Sequence, residues 1–230
     1  MAKRHPGQRR LTQDKVEHED DIFIAKVLEA GTWAKSNQQL LTIAAVLLVV
    51  AVASVLYYRN YRRGLVEQAG AQMEQIHQSV ALNDNEGAKS QLKVFLDRFG
   101  GTPYEGEARM LLGQLYLEGG DPQQAQAVLE PFGASPSSPL QLQAAELLAR
   151  SYEQENRWQD AENLYLRIAD RSDLDFQVRG ALADAARIRA SHGDDKGAAE
   201  LYQRILDGMD KNSPERGMYE MRLAELSDTA

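Results

Sequence analysis

The sequence predicts an all-α protein in which a single N-terminal transmembrane helix precedes a solenoid of helical hairpins. Three observations support this fold class. Leu40–Tyr58 is a run of 19 residues that contains no charge. The residues after it place apolar side chains at helical spacing, without the sustained alternation that marks a strand. Small residues in the same part of the chain recur every 36 or 37 residues.

The run Leu40–Tyr58 has the length and composition of a membrane span. A helix of roughly 20 apolar residues crosses the hydrocarbon core of a bilayer, and a single helix satisfies its own backbone groups in lipid. A buried core helix would keep a polar face, which this run does not have. Aromatic and basic residues flank it, as they do at membrane interfaces: Trp33, Tyr57, Tyr58, Arg59, Tyr61, Arg62 and Arg63.

The motif Ala51-Val52-Ala53 raises the alternative of a cleaved signal peptide, because it matches the small-x-small cleavage pattern. However, 39 residues precede the apolar run, and the run continues past the motif. A signal peptide has a shorter N-terminal region and a shorter apolar region. The sequence therefore predicts an uncleaved anchor.

The N-terminal 39 residues divide into two segments. Residues 1–19 are polar and mixed in charge, and we predict a disordered tail. Residues 20–39 form an amphipathic juxtamembrane segment with Ile22, Phe23, Val27 and Leu28 on one side. The residues leave open whether this segment is a separate helix at the membrane surface or an extension of the membrane helix.

Charge distinguishes the part that follows the apolar run. Residues 65–230 hold 16 Lys and Arg against 28 Asp and Glu. Nucleic-acid binding is disfavoured, because phosphates require a basic surface, and so is lying flat on anionic lipid. For topology, the three arginines just after the run weakly favour a cytoplasmic C-terminal side, against Lys26 and Lys35 before it. This count is close to a tie.

The chain lacks the residue patterns of common catalytic and metal sites. It contains no cysteine, which excludes disulfides and thiolate chemistry. Its four histidines are scattered, with no pair at the i, i+4 spacing of a helical metal site. Phosphate-loop, nucleophile-elbow and zinc-protease motifs do not occur. We therefore predict no enzyme activity, no cofactor, no metal site and no small-molecule substrate.

Residues 65–230 show an internal repeat, which predicts about four helical hairpins and a capping helix at Met218–Leu226. In each second helix a small residue is followed by a large one four positions later. The small residues are Ala88, Ala125, Ala161 and Ala198, and the large ones are Leu92, Leu129, Tyr165 and Tyr202. Twelve residues before the alanines, three first helices carry Gly113, Ala149 and Ala186. Three residues after these come Tyr116, Tyr152 and, as a departure from the pattern, Arg189.

Turn residues predict where these helices begin and end. The first helix is expected at Leu65–Leu82. Thr102-Pro103 is expected to cap and start a helix, and Pro131 to end one. Ser138, Ser172 and Ser213 are expected to begin later helices in the same way.

This spacing resembles the tetratricopeptide repeat (TPR), a helix–turn–helix unit of 34 residues. The layout as a whole, from Asp20 through the junction DDIFIAKVLEAGTWAKSNQQLLTIAAVLLVV to the repeats, resembles the YfgM-like family. The resemblance implies a single-pass bacterial inner-membrane protein, ancillary to the Sec translocon and placed beside a membrane-anchored prolyl-isomerase-like chaperone. It also implies a cytoplasmic N-terminus and a periplasmic TPR domain.

Two functions follow as hypotheses. The first is a membrane-held module that binds proteins of the translocon or of the periplasmic chaperone network. The second is a cytoplasm-facing scaffold or regulatory adaptor. In either case the binding groove is expected on the concave face built from first helices, at Glu107, Met110, Gln114, Leu117, Gln143, Glu146, Arg150, Glu153, Ala183 and Arg187.

Overall fold

The structure is a computed structural model that describes residues 13–228, with the side chains of residues 24–227. These described residues form helices and no strand, which confirms the all-α prediction. The chain divides into two compact units, one ending at Arg62 and one beginning at Arg63. The helices are α1 (Gln13–Ser36), α2 (Gln38–Ala81), α3 (Asn85–Phe99), α4 (Glu105–Glu118), α5 (Pro122–Gly133), α6 (Pro139–Gln154), α7 (Trp158–Arg171), α8 (Asp175–Ser191), α9 (Asp195–Asp207) and α10 (Arg216–Asp228).

The N-terminal helix α1 is longer than the juxtamembrane segment expected at residues 20–39. It begins at Gln13, within the stretch predicted as a disordered tail, while residues 1–12 lie outside the described part. At its other end, Asn37 N–H donates to Trp33 O and Leu41 N–H to Asn37 O, both at 3.0 Å. Helical bonding thus continues across the junction, as in an extension of α2.

The apolar run occupies the first half of α2. Each residue of Leu40–Tyr58 is exposed. Within the described residues, α2 is the one helix long and apolar enough to cross a membrane, judged by length and composition. The two internal hydroxyls bond to the helix backbone, Thr42 to Gln38 O and Ser54 to Val50 O, each at 2.8 Å. These polar groups are therefore satisfied inside the segment.

A separate helix beginning at Leu65 is not found, because α2 runs without a break to Ala81. Residues 59–64 contain no proline and only one glycine, Gly64. A single glycine costs a helix about 1 kcal/mol relative to alanine, which is too little to stop it where flanking residues favour helix.

In the second unit, consecutive helices pack antiparallel in the order of the chain, as expected for a helical-hairpin solenoid. The last turns of α2 contribute Ala69, Met73 and Ile76 to the buried core. A hydrogen bond also joins α2 to α3, in which Gln91 Nε2 of α3 donates to Ser79 Oγ of α2 at 3.1 Å. The following pairs are α4 with α5, α6 with α7 and α8 with α9, and α10 packs on α9.

The small residues of the repeat lie where helices meet. Ala88, Ala125, Ala161 and Ala198 are each fully buried. The helices approach so closely at Gly133 that a Cβ atom there would lie 2.9 Å from backbone atoms of Ala144 and Ala145 in α6. Interiors packed this tightly do not accept larger side chains without shifting.

Arg189, which replaces the aromatic residue of the repeat, is held by an ion pair instead of an aromatic contact. In the preceding repeats Lys89 lies over the Tyr116 ring at 5.6 Å and Arg157 over the Tyr152 ring at 4.3 Å. Arg189 Nε lies 2.7 Å from Glu162 Oε1 of α7. Tyr116 and Arg189 thus contact the preceding hairpin, whereas the contact of Tyr152 with Arg157 lies within one hairpin.

Several turns differ from the sequence prediction. Helix α5 continues past Pro131 to Gly133, since a proline in the last turns removes only one backbone bond. Thr102 does not cap α4; its hydroxyl donates to Phe99 O at 2.7 Å and so closes the end of α3. Ser138 caps α6 as expected, accepting from Gln141 N–H. Helices α8 and α10 each begin three residues after the expected serines.

The side chain of Glu105 stabilises the turn between α3 and α4 through hydrogen bonds. Its Oε2 accepts the Gly101 N–H at 2.7 Å, and its Oε1 accepts from Arg109 at 2.9 Å. Arg109 in turn donates to Val128 O of α5 at 3.0 Å. The bond from Gly101, and then that from Arg109, hold the pKa of Glu105 below its ordinary value.

We predict that Glu105→Gln lowers the stability of residues 63–230 by about 1 kcal/mol at neutral pH, and that this difference disappears in acid. Because the pKa is lower in the folded state, the carboxylate stabilises the fold above its unfolded pKa of about 4.3. This contribution is lost as pH falls through the folded pKa. Urea unfolding of the unchanged protein and of the Glu105→Gln variant between pH 7 and pH 3 measures the difference between their free energies of unfolding. A difference that stays constant over this range would contradict the prediction.

Candidate protein-binding face

The residues predicted for the groove lie on the first helices of consecutive hairpins, α4, α6 and α8, and their surface is here named the inner face. On α4 the four positions follow each other at steps of three and four residues, which places them on one side of the helix. Met110 and Leu117 are half-buried against the core, and Gln114 is exposed. This row offers apolar surface between polar groups.

On α6 the inner face is mainly charged and polar. Gln143 is exposed, and Arg150 pairs with Glu146 at 2.7 Å within the helix. On α8 the face carries the half-buried Ala183 and the exposed Arg187. Gln143, Arg150 and Arg187 are thus exposed on neighbouring helices.

One hydrogen bond and one ion pair join first helices across the inner face. His77 Nε2 of α2 lies 2.8 Å from Glu107 Oε1 of α4. Arg187 of α8 reaches back to Glu153 of α6, with its two terminal nitrogens at 2.8 and 3.0 Å from the carboxylate oxygens. Glu107, Glu153 and Arg187 are thus engaged in holding neighbouring helices together.

Of these residues, Glu153 bonds to side chains on two other helices, α7 and α8. Its side chain is 16% exposed, and it also accepts the Tyr165 hydroxyl at 2.8 Å. The hydrogen bond to Glu153 raises the pKa of Arg187, and burial raises the pKa of Tyr165. Sequence reasoning placed Glu153 in the groove but missed its bond to Tyr165, which lies on a second helix.

A feature that sequence reasoning missed is a cleft of about 360 Å³ where α8, α9 and α10 meet, here named the C-terminal cleft. It continues the inner face beyond Ala183 and Arg187. Its lining includes Ala183, Arg187, Tyr202, Met218, Tyr219 and Arg222.

At the cleft, the sequence of α10 departs from the repeat. In α8 the positions of Ala181 and Ala185 are small and buried, at 6% and 0% exposure. One period of 37 residues later stand Met218 and Arg222. Both of these long side chains are exposed, whereas Tyr219 of the same helix is buried. Continuing the period of 37 residues into the predicted capping helix would have aligned Met218 with Ala181 and Arg222 with Ala185.

The described residues contain no group of three or more His, Asp or Glu side chains positioned to hold a metal ion. The inner face carries hydrogen bonds, ion pairs and half-buried apolar side chains. Stacked helical hairpins with such a face define a solenoid of the TPR class, which is typically a protein-interaction scaffold.

The chain belongs to the family described as "Tetratricopeptide repeat-like domain", whose profile it matches over residues 32–228. A comparison with curated protein sequences finds no significant match.

Solved structures share the fold at low identity. A tetratricopeptide repeat protein from Parabacteroides merdae is 16% identical with a TM-score of 0.58, covering 70% of this chain and 60% of that one. BtubC (BKLC) from P. vanneervenii is 19% identical with a TM-score of 0.55, covering 70% of this chain and 73% of that one. At such identities the likeness concerns the fold alone.

Proposed function

We propose that this protein is a membrane-anchored TPR scaffold that binds protein partners through its inner face, as an ancillary component of the Sec translocon or of the periplasmic chaperone network. The observation that carries the proposal is the combination, in one chain, of a TPR solenoid with a fully exposed apolar helical run at Leu40–Tyr58.

The anchor is supported by the exposure of that run. Soluble monomeric proteins rarely leave so large a contiguous apolar surface in water. Its two internal hydroxyls are already bonded within the helix, so insertion into lipid leaves no polar side chain unsatisfied. Tyr57, Tyr58 and Tyr61 at one end suit the headgroup region.

The partners are proposed from the resemblance to the YfgM-like family. An acidic solenoid of this type would be periplasmic, with the N-terminus cytoplasmic, and would have the translocon and a membrane-anchored prolyl-isomerase-like chaperone within reach. Its mixture of ion pairs and half-buried apolar side chains suits weak contacts with varied polypeptides rather than one rigid ligand.

A second candidate is a cytoplasm-facing scaffold or regulatory adaptor. Arg59, Arg62 and Arg63 favour it, because positive residues beside a membrane helix tend to remain in the cytoplasm. The two candidates differ in which compartment holds the solenoid, so topology separates them.

We predict that alkaline phosphatase fused after residue 230 is active in intact cells, because that enzyme matures only outside the cytoplasm. A β-galactosidase fusion at the same point, which works only in the cytoplasm, serves as the matched control and is expected to be inactive. Activity of the β-galactosidase fusion alone would exclude the periplasmic candidate and support the adaptor.

We further predict that inner-face charge changes reduce cross-linking to translocon or chaperone subunits in native membranes. The test variant is Gln114→Arg with Gln143→Arg, both exposed on first helices. The control is Gln124→Arg with Gln203→Arg, which makes the same change at exposed positions on second helices. Cross-linking yield is expected to fall severalfold in the first variant only. Equal yields in both would argue against the inner face.

A further inference from the structure

The C-terminal cleft has an apolar floor. The rings of Tyr202 and Tyr219 lie side by side with their centroids 6.4 Å apart, each at most 8% exposed. Ala183 and Met218 form parts of the walls. Burial is the main cause that raises the pKa of Tyr202, so its phenol is neutral at physiological pH. The surface that a ligand would meet is therefore largely aromatic and aliphatic.

The charged residues around the cleft are already paired. Arg187 bonds Glu153 and also lies 3.0 Å from Asp184. Arg222 lies 2.9 Å from Glu225 one turn along α10. Since each guanidinium has its own carboxylate, an ionic ligand would have to compete with these pairs, whereas an apolar group would not.

The volume of the cleft limits the size of the occupant. At about 360 Å³ it lies near the lower end of the range of about 300–1,000 Å³ found for small-molecule sites. It is thus suited to one large side chain with part of its backbone. Met218, which is 51% exposed, has a flexible thioether chain that adapts to different shapes.

We propose that the C-terminal cleft binds one bulky apolar side chain, aromatic or leucine, of an extended partner polypeptide. This inference rests on the proposed function, in which the inner face binds polypeptides. It adds that the C-terminal end of that face selects an apolar side chain of the polypeptide. Paired charges on the rim and an aromatic floor together favour a neutral apolar residue.

The methionines of the chain provide the test. Met218 lines the cleft, Met221 lies three residues further along α10 and is 54% exposed outside it, and Met110 lies on the inner face of α4. The full chain is labelled at its methionine methyl groups and studied by NMR in lipid nanodiscs. The probes are a seven-residue Gly/Ser peptide with one central Phe, and the same peptide with Ala in its place.

The expected result is a saturable shift of the Met218 methyl signal with the Phe peptide, at least tenfold weaker with the Ala peptide, while the Met221 signal stays in place. Ala183→Trp fills the cleft and is expected to abolish the shift. Ala127→Trp, at an exposed site on α5, is expected to preserve it. Unchanged signals from the buried Met73 and Met209 show that each variant keeps its fold.

Other outcomes would overturn the inference in distinguishable ways. A shift of Met110 without Met218 would leave the inner face as a binding surface and exclude the cleft. Equal shifts with both peptides would show that the cleft does not select the side chain. Movement of Met218 on dilution of the protein alone would identify a second copy as the occupant. No shift at any methionine would count against the proposed function as well.

Discussion

The solenoid depends on the close approach of helix backbones at small residues. Ala88, Ala125, Ala161 and Ala198 are all fully buried, and at Gly133 the backbone of α6 is too near to admit even a Cβ atom. Because each hairpin contacts only its neighbours, stability accumulates from one interface to the next. With no cysteine in the chain, packing and the polar contacts between hairpins hold the stack.

The inner face follows from this packing. Once second helices close against first helices through small residues, the opposite sides of the first helices are left uncovered on one surface. The pairs His77–Glu107 and Glu153–Arg187 then bridge adjacent first helices. Charged residues of the face therefore serve the fold, while Met110, Leu117 and the C-terminal cleft supply its apolar surface. At the cleft, α10 places Met218 and Arg222 where α8 has alanines.

Periodic features of this fold were predictable from the sequence, and features that depend on a particular contact were not. The period located the buried alanines, and Ser138 marked the start of α6. Pro131 was wrongly expected to end α5, because local preference does not weigh the tertiary packing around Gly133. Thr102 was wrongly assigned as a cap of α4, since either neighbouring helix was available to its hydroxyl. The bond between Glu153 and Tyr165 joins residues of different helices, and no single-helix pattern indicates it.

The central claim, that close helix approach at the small residues holds the solenoid together, is tested most directly by one pair of substitutions on α5. Ala125 is fully buried and Ala127 is exposed on the same helix, so leucine at either position has the same intrinsic helix preference. Urea unfolding of residues 63–230 is expected to show a loss of about 1–3 kcal/mol for Ala125→Leu and a change within about 0.5 kcal/mol for Ala127→Leu. Equal stability of the two variants would contradict the claim.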